Sequence, residues 1–129
     1  MTTFSVSTKS RTELIDITSK VRDAVREFDV RDGLCTVYVP HTTAAVTVNE
    51  SADPSVAKDI VKELNKVIPF SDNYSHAEGN SAAHIKSSII GCNTTIPVEN
   101  GRLSLGTWQG IFFCEFDGPR SRKVKVSVR

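Results

Sequence analysis

The stretch 94-TTIPVENGRLSLGTWQGIFFCEFDGPRSRKVKVSV-128 carries the clearest statement of the fold. Thr94 to Val98 alternates polar and apolar residues, Asn100-Gly101 interrupts the run, and Arg102 to Leu105 resumes it. Asn-Gly between alternating runs is the strongest short hairpin signal, because the tightest hairpin turn asks for positive φ at both central residues. A long strand near Gln109 to Phe116 follows, then another from Lys123 to Val128, separated by the turn sequence Asp117-Gly118-Pro119. Consecutive strands joined by such short turns must run antiparallel.

The same patterning extends upstream. Phe4 and Val6 alternate with polar neighbours, and Leu14, Ile15 and Ile17 do so more loosely; both read as strands. Thr18 or Ser19 can cap a helix whose apolar face is Val21, Ala24, Val25 and Phe28. Asp32-Gly33 turns the chain into the β-rich run Leu34 to Val39, which Pro40 ends; Ala44 to Val48 is the next strand. Asp53-Pro54 is a cap followed by proline at the first helical position, where its missing N–H costs nothing. Val56, Ile60, Leu64 and Val67 then make one helical stripe, stopped by Pro69. Ser71 to Ser81 is polar and irregular, and a short helix from Ala82 to Ile90 closes at Gly91. The fold class is α+β: a mostly antiparallel β-sandwich carrying two or three inserted helices.

Composition narrows the function classes. The chain has 129 residues and no linker, repeat or low-complexity tract, which predicts one domain over 1–129. A formal charge of +1 supplies no field for nucleic acid or an anionic membrane. Arg120, Arg122, Lys123, Lys125 and Arg129 alternate as a solvated strand face would. Cys35, Cys92 and Cys114 form no CxxC or close pair, which suits reduced thiols in a cytoplasmic protein. No signal-peptide pattern opens the chain, and no apolar run approaches the ~18 residues of a membrane span.

The residues able to carry chemistry lie in polar segments. His41, His76 and His84 all sit at element boundaries, away from apolar stripes. Three neutral imidazoles plus water form a familiar catalytic zinc set, but the spacing is neither HxxxH nor HxH, so on these residues alone separate surface or hydrogen-bonded histidines are the commoner arrangement. In 76-HAEGNSAAHIK-86, Gly79, Asn80 and Ser81 turn into a helix start whose free N–H groups favour an anion, with Lys86 one turn on as a counter-charge. Simple capping by Asn80 or Ser81 is the alternative. Trp108 and Gln109 stand between glycines, as an exposed ring and amide at a pocket rim would. Glu115 and Asp117 alternate around Phe116 with Arg120 and Arg122 just beyond, either a salt-bridge network or a polyanion site. Asn49, Glu50 and Asp53 are either ligands or residues of a helix start. GxGxxG, Walker A and GxSxG motifs are all absent.

Taken together and in order, 41-HTTAAVTVNESADP-54, HAEGNSAAHIK and 97-PVENGRLSLGTWQGIFFCEFDGPR-120 resemble the secondary thiamine-phosphate synthase (YjbQ-like) family, from about Thr8 to Val128. The resemblance implies a small α+β sandwich, a homotrimer, and a polar pocket near subunit boundaries. It implies a divalent ion, zinc first, on His41, His76 and His84. It also implies a phosphorylated small-molecule substrate held by Asn49, Gly79, Asn80, Ser81, Lys86, Trp108, Gln109 and Arg120, with Glu50, Glu78 or Asp117 in catalysis. The reaction the family name implies joins a pyrimidine diphosphate to a thiazole phosphate and releases diphosphate. One position departs: Ala82 stands where the family pattern GN-x-DAH has aspartate.

Overall fold

A computed structural model describes residues 1–129. In chain order the elements are β1 (Thr2–Ser7), β2 (Glu13–Asp16), α1 (Thr18–Val25), β3 (Gly33–Tyr38), β4 (Ala44–Glu50), α2 (Pro54–Val67), α3 (Ser81–Ile90), β5 (Asn93–Glu99), β6 (Arg102–Leu103), β7 (Gln109–Glu115) and β8 (Ser121–Val128). The eight strands form two antiparallel sheets, β1-β8-β3-β5-β6 and β2-β7-β4. The α+β class predicted from the alternation is the one observed.

The period-2 pattern decides which residues each sheet buries. In β8, Val124, Val126 and Val128 face inward while Ser121 and Lys123 face out. Cys35, Val37, Ile96 and Val98 continue that inner face, and Val46, Ile111 and Phe113 meet it from the second sheet. β7 is buried on both sides, which is why 111-IFFCEF-116 reads as an unbroken run rather than an alternating one. Its other face carries Cys114, which packs with Ala45, Phe116 and Ala83 of α3, and with Leu14, Leu64 and Ile90. The molecule is thus layered: five-stranded sheet, three-stranded sheet, then α2 and α3.

Local chemistry places the element ends. Asp53 caps α2 by accepting from the Ser55 N–H at 2.9 Å, with Pro54 following. The Asn100-Gly101 turn has φ of 53° and 76°, so the hairpin is built as its sequence requires. Two expectations shift. Thr18 does not cap α1: its hydroxyl donates to Asp16 Oδ1 and accepts from the Ile111 N–H, tying the helix start to β7. β6 stops at Leu103: the Ser104 N–H still reaches the Pro97 carbonyl, but Pro97 has no N–H to give in return, and Gln109 folds back on Gly106.

The basic alternation at the chain's end also divides. Arg122 shares the parity of Val124 and Val126, so it points into the core and is 3% exposed. Only its neighbours belong to a solvated face.

Candidate functional site

At the end of β7 the chain makes its Asp117-Gly118-Pro119 turn, and two carboxylate–arginine pairs form on either side of it. Glu115 is fully buried on the inner face of β7 and meets Arg122 from the inner face of β8. The guanidinium grips both carboxylate oxygens and donates onward to Thr43 Oγ1 at 2.8 Å. Thr8 Oγ1 and the Asp117 N–H donate to the same carboxylate. Burial alone would raise the Glu115 pKa; these donors outweigh it and hold the carboxyl below its ordinary range.

Asp117 lies past the strand end and is only part-buried. It accepts from Arg120 Nη2 at 3.1 Å and from Asn80 Nδ2 at 3.0 Å. Arg120 Nε also donates to the Asp117 carbonyl. The turn between the pairs is crowded: a Cβ on Gly118 would lie 2.3 Å from the Ser10 carbonyl oxygen and 2.8 Å from Glu115 Cγ.

A polar cleft of about 360 Å³ opens above this turn, lined by Thr42, Thr43, Glu78, Asn80, His84, Asp117 and Arg120. A second hollow on the far side of His84 contains Tyr74, Ser75, His76, Ser81 and Ile85. The imidazoles of His76 and His84 meet edge to face with centroids 5.6 Å apart, and His76 Nε2 lies 3.7 Å from Glu78 Oε2. Asn80 occupies the N-cap position of α3 without making a cap bond; its side chain is spent on Asp117 instead. The capping alternative is therefore not the one realised. The Ala83 and His84 N–H groups donate to the Asn80 carbonyl, which leaves the Ser81 and Ala82 N–H groups unpaired at the positive end of the helix.

The expected site residues do not all gather here. Lys86 is two positions from His84, about 200° around the helix, and points the other way. It is fully buried, its Nζ donating to Asn65 Oδ1 and lying 3.9 Å from the Phe70 ring centroid. Burial, then the Arg11 charge, pushes its pKa down to about 8. Asn49, Glu50, Trp108 and Gln109 lie at the opposite end of the β4–β7 ladder. There Glu50 faces Gln109, whereas Ala44 faces Glu115 at the cleft end. Six strand steps separate the two ends, roughly 20 Å. At that far end Glu50 accepts from the Ala52 N–H, Gln109 from the Gly106 N–H, and Trp108 is 63% exposed.

His41 stands next to the cleft, but its Nε2 accepts the Lys123 N–H at 2.9 Å. Burial and then the Arg122 charge depress its pKa. Its acceptor nitrogen is thus already occupied, and no three His, Cys, Asp or Glu side chains converge as a metal-holding group. The three-histidine set does not form within the single chain; His76, His84 and Glu78 are the donors that come closest to one.

Sequence reasoning passes over Thr8, Thr42 and Thr43. It sets Arg122 in a salt-bridge network with Glu115, and that pair forms, but it does not foresee the burial. Parity with Val124 marks Arg122 as inward-facing; Thr8 and Thr43 are bonded to Glu115, Arg120 and Arg122 across 79 to 112 residues, beyond any local pattern.

The family model described as "UPF0047 protein YjbQ-like" matches residues 2–129. A UPF0047 protein of Methanocaldococcus jannaschii is 53% identical over 125 residues, covering 97% of this chain and 91% of that protein. The UPF0047 protein YugU of Bacillus subtilis is 50% identical over 127 residues, covering 98% and 96%. The crystal structure of an uncharacterized YjbQ/UPF0047 protein from Clostridium acetobutylicum superposes with a TM-score of 0.98 at 52% identity, each chain fully covered.

Proposed function

The chain belongs to the UPF0047 (YjbQ-like) family, and from that premise we propose that the Thr43–His84–Arg120 cleft binds and acts on a phosphorylated small molecule. One observation carries the reading: Asn80 leaves its helix uncapped in order to hold Asp117, which in turn holds Arg120 beside that open helix end. An oxyanion there has the Arg120 guanidinium and the Thr43 hydroxyl in the cleft wall, with the free N–H groups of the helix start just beyond Asn80. His84 sits one turn into the helix, where an imidazole can deliver or accept a proton.

The reaction proposed is of the thiamine-phosphate synthase type. A thiazole nitrogen attacks the pyrimidine methylene, the C–O bond to diphosphate breaks, and diphosphate leaves with the electron pair. The chain's part is to neutralise that departing charge and align the two reactants. A divalent ion, zinc first, is proposed only as an addition that would use His76, His84 and Glu78. A homotrimer is proposed as well. Ile85 and Ile89, one turn apart and exposed on α3 beside His84, are the apolar residues a subunit contact would cover. Such a contact could bring Asn49, Glu50, Trp108 and Gln109 of one subunit to the cleft of the next.

The second reading, a phospho-metabolite-binding module without turnover, rests on Ala82. It is fully buried in the first turn of α3, where its methyl group stands in place of the carboxylate that the resemblance implies. Incubation with the pyrimidine diphosphate and the thiazole phosphate separates the readings. Thiamine phosphate and diphosphate in equal amounts, lost in His84→Ala, support the synthase. Saturable diphosphate binding with no product supports the module, and orthophosphate release alone points to a hydrolase. No binding and no product would sink the assignment of the cleft.

A further inference from the structure

A separate cleft of about 480 Å³ lies between α1 and the β5–β6 hairpin and shares no residue with the site above. It is lined by Arg22, Val25, Arg26, Gly101, Arg102 and Leu103, so every charged group on its wall is a guanidinium. The protein as a whole carries only +1, which makes three arginines around one hollow a local excess. Asp23 engages Arg26 at 2.9 Å. Arg22 and Arg102 make no ion pair, although Glu99 is the register partner of Arg102.

The bland account is that Arg22 and Arg26 complement the negative end of α1, worth ~1 kcal/mol at most at an exposed position. That account does not reach Arg102, which comes from a different element. The hairpin wall is also held in place. The Gly101 N–H donates to the Arg31 carbonyl at 2.8 Å, Arg31 Nη2 to Asn100 Oδ1 at 3.2 Å, and the Asn100 N–H to Asp32 Oδ1 at 3.3 Å. A fixed wall loses little entropy when a ligand arrives.

We propose that this cleft is a second anion site, taking the phosphate group of a small metabolite between Arg22 and Arg102. Val25 and Leu103 supply an apolar floor for the rest of the ligand. Guanidinium forks match phosphate geometry bidentately, and the volume falls in the range of metabolite pockets. Arg26, already paired with Asp23, closes the rim.

The test is a titration of the ¹⁵N-labelled full chain with inorganic diphosphate, followed at the amides of Gly101, Arg102 and Leu103. Saturable shifts are expected there. They should weaken at least ~tenfold in Arg22→Gln/Arg102→Gln, a loss of about 1.4 kcal/mol, and persist in Arg120→Gln, which alters only the other cleft. An unchanged spectrum elsewhere shows that the double variant folds. The proposal fails if these amides do not saturate, if the double variant binds as well as the parent, or if sodium chloride at equal ionic strength reproduces the shifts. A phosphorylated sugar and free orthophosphate, run as further arms, tell whether the apolar floor is used: a tighter sugar phosphate supports a metabolite, equal affinities a bare phosphate.

Discussion

Glu115–Arg122 and Asp117–Arg120 are the same chemical pair, formed on either side of one four-residue turn. The outer pair has Arg120 half exposed and Asp117 22% exposed; the inner pair is 3% and 0% exposed. The inner carboxylate has all its donors within the protein and nothing left for a ligand. The outer pair is open to the cleft and can exchange water for an oxyanion. Burial, rather than residue type, separates the ion pair that holds two sheets together from the one available for function.

Breaking the inner pair should have the largest effect. Arg122→Leu leaves Glu115 buried without its cation, and unfolding in urea should show a loss of about 3–5 kcal/mol. Unchanged stability would mean that the Glu115 charge reaches water. Next comes the turn between the pairs. Gly118→Ala drives a Cβ into the Ser10 carbonyl and Glu115, which should cost about 1–3 kcal/mol in the same measurement. Arg120→Gln is the contrast: an exposed pair is worth ~1 kcal/mol or less, so stability should barely move while diphosphate affinity falls about tenfold. Equal effects on stability from Arg120→Gln and Arg122→Leu would erase the distinction.

Two groups beside Arg122 give the inner side a pH response in two steps. The Glu115 pKa is depressed by folding, so its contribution is present above the ordinary value of 4.5 and lost as pH falls through the lower native one. The His41 pKa is depressed too, so the unfolded chain takes up that proton first and stability declines below about 6.5. His41→Gln should remove the earlier decline and leave the Glu115 limb, as read by denaturant midpoints across pH. The smallest effect expected is on binding in Lys86→Met. Because Lys86 faces Phe70 and not the cleft, diphosphate affinity should stay within about twofold of the parent.

Much of this architecture was legible because it is written in short periods. The Asn100-Gly101 hairpin, the Asp53-Pro54 helix start and the doubly buried run of β7 each follow from neighbours within a few residues. The candidate site was legible only as a set of residue types. His84, Asn80, Asp117 and Arg120 do meet, but Lys86 was assigned by proximity along the chain when helical rotation turns it away. Nor could the sequence show that His41 gives its acceptor nitrogen to Lys123, 82 positions later. Asn49 and Glu50, just beyond Val48, look local to His41 until the ladder is drawn and they fall at its other end.

The placement of β8 between β1 and β3 has a consequence for how the protein is made. As the chain leaves the ribosome, β1 emerges more than a hundred residues before its only neighbour. At ordinary synthesis rates of about 5–20 residues per second, that is on the order of ten seconds with an unpaired edge. Nascent chains therefore carry a half-built sheet for most of their synthesis, and β1 is the last-closed edge.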